Sequence, residues 1–415
     1  MQSDDRSNLL LASLGSEGPG GESIARNVER ILNAVRTHLQ MDVAFVSEFG
    51  QRDRVFRYVV GKGERIMFRP GDSMPLDDGY CQRVVQGRIP QLIPDTSAVP
   101  SLASIPDTAA VPIGSHISVP ITLRDGRTYG TFCCFSFRPN LTLDSRDLQM
   151  MRAFADLLAY QIDGDLAALS EHNAKVERVT AVLEMGQPTM VYQPICRLDD
   201  PQVVGVECLS RFDLEPKRPP DQWFAEAAEI GLGIRLELNA ILTALSELQD
   251  VAGDFYVSLN VSPATIISGD ILGYLDGIDY RRIVLEVTEH SLVEDYALLQ
   301  EYLLPLRAQG IRIAVDDAGA GYASMRHVLA IQPEIIKLDM SLTRGIDSDS
   351  PRRALASALI RFAHDIGSLV IAEGVETQAE SRALRGLGVD DAQGYFLSRP
   401  LPLEALKQLL EEGKR

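Results

Sequence analysis

In the second half of this 415-residue chain, residues with metal-binding or ionisable side chains sit at or near the ends of short β-rich runs. Glu207 lies in Val203–Leu209, Asn260 near the end of Phe255–Val261, and Glu286 in Ile283–Val287. Asp316 closes Ile311–Asp316 and Asp317 follows it. Lys337 lies in Glu334–Leu338, Glu373 follows Leu369–Ala372, and Gln393 lies in Asp390–Gly394. One carboxylate at a strand end is most often a solvated group or a helix N-cap. Five acids brought together with an Asn, a Gln and a Lys would repel strongly unless cations are bound. Oxygen-only donors favour hard divalent ions such as magnesium or manganese. The adjacent pair Asp316-Asp317 suits two ions with one carboxylate bridging them, an arrangement that clamps a phosphodiester and activates a water for attack.

These side chains meet only if the runs that carry them close on one another. With Met190–Ile195, the runs make eight strands after Pro188, alternating with helical stretches. That is the count and size of a (β/α)8 TIM-like barrel of the α/β class, whose active sites lie at the strand C-termini. The barrel is expected over residues 188–412. Residues 23–165 read as a separate α+β domain. Ile24, Val28, Ile31, Val35 and Leu39 recur at helical spacing. Strand-like runs follow at Val43–Phe49, Val55–Val60, Ile117–Leu123 and Tyr129–Phe137, the last two joined by a turn containing Asp125-Gly126. Residues 166–187 read as a helical linker. From Ser145, Leu148, Ala155, Ile162, Leu169, Val176 and Leu183 repeat every seven residues, which fits a parallel two-stranded coiled coil. Two shorter helices packed on their own domains explain the same pattern equally well. Residues 1–22 are polar and Gly/Ser-rich and read as a flexible leader.

The formal net charge of −18 excludes general binding to a long phosphate backbone, though not a small anionic substrate held by metal ions. No stretch reads as a membrane span or a secretory signal, so a cytoplasmic location is expected. The five cysteines, Cys81, Cys133, Cys134, Cys196 and Cys208, form no CxxC pair and read as reduced thiols, most of them small packing residues.

Glu207-Cys208-Leu209-Ser210-Arg211 resembles the Glu-Ala-Leu-x-Arg signature of the EAL family of cyclic-di-GMP phosphodiesterases. Further family motifs follow its order: Tyr192-Gln193-Pro194-Ile195 before it, then Asn260-Val261-Ser262-Pro263, Glu286-Val287-Thr288-Glu289, Asp316-Asp317-Ala318-Gly319, Lys337-Leu338-Asp339, Glu373-Gly374-Val375-Glu376 and Gln393-Gly394-Tyr395. The resemblance implies hydrolysis of cyclic di-GMP to linear pGpG with two Mg2+ or Mn2+ ions. It implies that Glu207, Asn260, Glu286 and Asp316 hold one ion, and Asp316 and Asp317 the other. Glu373 would be the general base, and Lys337 would orient the attacking water. Gln193, Leu209, Arg211, Asp339 and Gln393 would contact substrate or complete its site. Glu289 would tether the loop that couples metal binding to dimerisation. The sequence departs from the pattern at Cys208, where the signature has Ala, and at Ala318 and Ala320, where the family has Phe and Thr. No metal or base position is lost.

The N-terminal half resembles a GAF sensor domain through Asp42–Val46, Gly87–Asp95, Ser118–Ile121 and Asp125-Gly126 leading into Tyr129-Gly130-Thr131. The resemblance leaves the GAF ligand unknown; Cys81 as a bilin attachment point and His116 as a haem ligand are weighed against plain packing. The implied whole is a homodimeric enzyme tuned by its GAF domain. The alternative is a catalytically silent cyclic-di-GMP receptor signalling through barrel and linker.

Overall fold

The computed structural model describes residues 21–61, 68–105, 108, 111–200, 202–275, 278–287, 293, 295–319 and 322–412; the side chains of 21–24, 78, 103, 104 and 322–324 lie outside that description. The expected leader therefore falls largely outside the described residues, as do Glu289 and Ala320. The chain divides into two compact units, Met1–Glu171 and His172–Arg415.

In the first unit, helix α1 (Gly21–His38) buries Val28, Leu32 and Val35, spaced one helical turn apart. Strands β1 (Val43–Phe49), β2 (Asp53–Gly61), β3 (Ser73–Pro75), β4 (Leu92–Ile93), β5 (Ser115–Thr122) and β6 (Thr128–Ser136) form one antiparallel sheet in the order β3-β2-β1-β6-β5-β4. A short helix, α2 (Tyr80–Val85), lies between β3 and β4 in sequence. Because successive strand residues face opposite sides, the sheet serves two cores. Ala44, Val46, Phe132 and Cys134 join the core that includes α1 residues. Val43, Phe45, Cys133 and Phe135 join a second, aromatic core with Phe56, Phe68 and Cys81. Each large apolar side chain fully buried in this way contributes about 1.5–3 kcal/mol. The expected β5–β6 hairpin is present, with Gly126 at φ +84, which only glycine adopts without strain.

Helix α3 (Ser145–Glu184) runs unbroken through Gly164. Part of the seven-residue seam is spent within each unit, while Leu169 and Val176 stay half-buried and join no core cluster. Leu148, Ala155 and Ile162 pack into the first unit's core, and Leu183 packs against a second-unit cluster of Val179, Val182, Trp223, Ala227 and Leu236. The helix is continuous, and four of its six heptad positions pack on its own domains.

The second unit is a closed barrel of eight strands: β7 (Thr189–Arg197), β8 (Val203–Arg211), β9 (Tyr256–Val261), β10 (Ile283–Val287), β11 (Arg312–Ala318), β12 (Ile335–Leu338), β13 (Leu369–Ala372) and β14 (Asp391–Ala392). Helices α4 (Pro220–Glu229) and α5 (Gly233–Leu248) connect β8 to β9; α6 (Pro263–Ile267) and α7 (Ile271–Tyr274) follow β9, and α8 (Tyr296–Ala308) precedes β11. Then come α9 (Tyr322–Ile331), α10 (Met340–Thr343), α11 (Ser350–Asp365), α12 (Gln378–Leu387) and α13 (Leu403–Glu412).

One strand departs from a uniform (β/α)8 pattern. β7 is antiparallel to both neighbours, β8 and β14. The short link between β7 and β8 explains the reversal, because a hairpin-length connection joins only antiparallel strands, whereas a parallel pair needs a crossover of a dozen or more residues.

Candidate active site

The barrel interior is built in layers two residues apart, since every second strand residue points inward. The lower layer is apolar: Ile195, Tyr256, Val284, Ala314, Ile335 and Ile371 form one buried cluster. Gly205 belongs to this level because a Cβ there would come within 2.4 Å of the Tyr256 ring. Two residues along each strand, the next layer is polar: Gln193, Glu207, Ser258, Glu286, Asp316, Lys337, Glu373 and Gln393. The strand period thus converts a sequence pattern into a floor of hydrocarbon beneath a ring of charge.

Lys337 is the hub of that ring. It is fully buried, and its Nζ donates to Glu373 Oε1 at 2.7 Å and Glu286 Oε2 at 2.8 Å, with Asp316 Oδ1 at 3.2 Å and Glu207 Oε2 at 3.5 Å. Gln393 Nε2 donates to Glu207 Oε2 at 2.7 Å and Glu373 Oε1 at 2.8 Å. Asn260 Nδ2 donates to Glu207 Oε1 at 3.2 Å. The Ser258 hydroxyl donates to Glu286. Sequence reasoning passed over Ser258, although its place two residues before Asn260 put it on the same inward face.

Burial and mutual repulsion separate the acids in proton affinity. Burial, with Glu207 and Asp316 adding repulsion, outweighs the attraction of Lys337 and pushes Glu286 up to about 8. Burial likewise raises Glu373 well above the usual carboxylate range, against the pull of Lys337 and with repulsion from Asp316 and Glu207. At Glu207 burial is outweighed by Lys337 and by the amides of Gln393 and Asn260, which hold it below its ordinary value. The four carboxylates together overcome the burial penalty on Lys337 and raise its pKa far above normal, so it remains a fixed cation. One lysine facing several acids is a site short of positive charge.

Adjacent strand residues normally point to opposite faces, so Asp316 and Asp317 could not both face the site on a regular strand. The β11–β12 register breaks between Val315 and Ala318, and Asp317 takes a left-handed conformation with φ +54. This bulge turns both carboxylates the same way, and aspartate is among the few residues that tolerate such a φ. Carboxylate oxygens of Asp316, Asp317 and Glu373 then lie within 4.8 Å of one another. An all-oxygen donor set of this kind fits a hard divalent cation. Gln393 Oε1 is buried without a hydrogen-bond partner, a further oxygen for such an ion or a water. The structure thereby groups Glu373, expected as a base, with the two aspartates.

Two cavities flank the ring. The larger, about 570 Å3, is lined by Leu209, Arg211, Asn260, Phe224, Glu237 and their neighbours. The smaller, about 210 Å3, is lined by Gln193, Glu373, Gln393, Arg344, Glu376 and Tyr395 among others. Four of the five expected substrate contacts thus border the ring: Leu209 and Arg211 on one side, Gln193 and Gln393 on the other. Asp339 does not line either cavity; its carboxylate accepts from Ser341 N at 2.9 Å and caps α10. Glu207 lies inside β8 rather than at its end, because β8 continues to Arg211 in its pairing with β7. Cys208 is buried in the core between barrel and helices, where burial pushes its thiol up, and it acts there as a small apolar filler.

Comparisons with known proteins identify both domains. The EAL domain family model matches residues 176–400, and the GAF domain model matches residues 24–162. The chain is 31% identical over 232 residues to an uncharacterized signaling protein of Caulobacter vibrioides, covering 54% of this chain and 28% of that one. It is 28% identical over 223 residues to the probable cyclic di-GMP phosphodiesterase PdeD of Escherichia coli K12, covering 51% of this chain and 41% of that one. The alignments therefore span well under half the length of these curated relatives. Among solved structures, the PaMucR phosphodiesterase in complex with c-di-GMP superposes with a TM-score of 0.51 at 26% identity, covering 56% of this chain and 99% of that one. Among the described residues, no helix is long and apolar enough to cross a membrane. The matched EAL region takes in the whole ring of polar side chains and more than half the chain, and the chain belongs to the EAL domain family, with a GAF domain ahead of its barrel.

Proposed function

We propose that the barrel hydrolyses one phosphodiester bond of cyclic di-GMP to give linear pGpG, with two divalent cations, Mg2+ or Mn2+, in the acidic ring. The observation that carries this reading is the grouping of Asp316, Asp317 and Glu373 beside a buried lysine, between two cavities. Glu207, Asn260, Glu286, Asp316 and Asp317 would hold the ions, with Glu373 close enough to join them. When bound, such ions polarise the scissile phosphate and make water a stronger nucleophile.

The chain's own residues supply the rest. Lys337 opposes the burial that raises Glu286 and Glu373, helps hold Glu207 below its ordinary value, and places a positive charge where negative charge grows on the phosphate. Glu373, whose burial raises its proton affinity, accepts a proton from the attacking water at Oε1, and Gln393 orients that carboxylate. Leu209 offers an apolar contact for a base. Arg211 is exposed and its Nη1 donates to the Ser210 carbonyl at 2.8 Å, leaving further guanidinium N–H groups for a phosphate oxygen. The GAF domain would tune this reaction.

The test is incubation of the purified full chain with cyclic di-GMP and Mg2+ or Mn2+, with and without chelator, following products by chromatography. Metal-dependent pGpG supports the reading. Tight binding of cyclic di-GMP without turnover at any metal concentration, in the full chain and in a barrel-only fragment that binds it equally well, refutes it and makes the protein a receptor.

A further inference from the structure

The sequence leaves most of the cysteines as packing residues, weighs Cys81 as a bilin attachment point, and places Cys133-Cys134 on a buried strand rather than in a redox pair. The structure separates that pair and assembles another. Cys133 and Cys134 face opposite sides of the sheet, in different cores. Cys133 instead meets Cys81, whose sulfur is 3.5 Å from its own. Both side chains are fully buried. The Arg54 guanidinium donates to the Cys81 sulfur from Nη1 at 3.2 Å. Its position depends on Gly79, since a Cβ there would lie 2.1 Å from Nη1. On the far side, Cys133 Sγ contacts Ser118 Oγ at 2.9 Å and Thr131 Oγ1 at 3.2 Å.

The two sulfurs are unequal. A small cavity, about 30 Å3, is lined by Cys81, Arg54, His116, Met74 and aromatic residues, but not by Cys133. It is far too small for a tetrapyrrole, whose pocket would run to several hundred Å3. It has room for a water or a molecule little larger. Cys81 thus borders the cavity, while Cys133, 3.5 Å from it, does not. The hydrogen bond from Cys133, opposed by burial and aided by the charge of Arg54, lowers the Cys81 pKa to about 5. Burial and the neighbouring sulfur raise Cys133 well above the usual thiol value. A cationic neighbour that favours thiolate is what distinguishes a reactive cysteine from an inert buried one.

We propose that Cys81 and Cys133 form a redox modification site in the GAF unit, in which a small hydroperoxide converts the two thiols to a disulfide. The Cys81 thiolate attacks the peroxide; an S–O bond forms, the O–O bond breaks, and the leaving oxygen takes a proton to become water or an alcohol. The Cys133 sulfur then attacks the Cys81 sulfenic acid; the S–S bond forms, the S–O bond breaks, and the departing hydroxide takes the Cys133 proton to leave as water. Two electrons pass from the thiols to the peroxide, and a dithiol reductant reverses the change.

The test uses the full-length, pre-reduced chain and hydrogen peroxide, followed by quenching, alkylation under denaturing conditions and peptide mass mapping. The expected result is a cross-linked pair of peptides containing Cys81 and Cys133, lighter by two hydrogens and restored to two alkylatable thiols by dithiothreitol. Cys81 should disappear about tenfold faster than Cys134, Cys196 and Cys208. In Cys133→Ser, dimedone should trap the sulfenic acid on Cys81. The wild-type mapping stands alone if that variant does not fold. The proposal is overturned if Cys81 and Cys133 remain alkylatable at peroxide levels that oxidise the other cysteines, if the disulfide joins Cys133 to Cys134, or if wild-type Cys81 stops at the sulfenic acid.

Discussion

Replacing Lys337 by methionine keeps the length and bulk of the side chain and removes its charge. Four carboxylates then lose the cation that contacts them at 2.7 to 3.5 Å. At an effective dielectric near 20, one such contact at about 3 Å is worth about 5 kcal/mol before desolvation. Burial of the ammonium and repulsion among the acids cancel most of the sum. Removing one partner from a buried ionic cluster costs about 3–5 kcal/mol, because the remaining charges stay buried without compensation. Lys337→Met should therefore lower barrel stability by that amount in chelator. The only tryptophan of the chain, Trp223, is buried in the second unit, so its fluorescence during urea unfolding reports the barrel separately from the GAF unit. Divalent cations should return part of the loss, since an ion at 100 times its dissociation constant stabilises the folded state by about 2.7 kcal/mol. Turnover should fall by at least about a hundredfold even when metal restores the fold. An unchanged urea midpoint in chelator would refute the claim that Lys337 neutralises the acidic ring.

Three further outcomes follow from named contacts. Asp317→Gly keeps a residue at ease with φ +54 but deletes the carboxylate, so the fold should hold while Mn2+ affinity, read by titration calorimetry, drops at least tenfold; unchanged affinity would show that the bulge serves only the backbone. Glu373→Ala and Glu207→Ala should each abolish turnover in a folded protein, with Glu207→Ala also weakening metal binding; near-normal activity in either folded variant would overturn the assignment of roles. Glu226 accepts hydrogen bonds from Arg218 and Arg178, and these, against the cost of burial, hold its pKa down at about 2. A depressed acid stabilises the fold above its ordinary pKa and loses that contribution as the pH falls through the lowered one. Barrel stability should thus decline between about pH 4.5 and pH 2 by up to about 3 kcal/mol, a loss that Glu226→Gln should lack when the two are compared by Trp223 fluorescence.

Much of the site was legible because the barrel obeys a simple period. Short β-rich runs, each bearing a polar residue at or near its end, predicted eight strands, and two of them, Ile283–Val287 and Leu369–Ala372, match the observed bounds. Alternation along a strand places Glu286 or Asn260 on the inner face once the strand is known. The heptad pattern of α3 shows the limit of this reading. A seven-residue apolar repeat is compatible with a partner helix or with the chain's own core, and here Leu148, Ala155, Ile162 and Leu183 take the second course.

By itself, then, the sequence determined the strand count, the inward side chains, the acidic character of the site and the family. These are local properties, set by side-chain type and backbone period. Tertiary structure alone decided the rest: the bulge that turns Asp316 and Asp317 the same way, the placement of Lys337 among four carboxylates, and the meeting of Cys81 with Cys133 across the GAF core. Each depends on which distant segments close against one another, and a one-residue change of strand register would turn the strand-borne side chains among them to the other face.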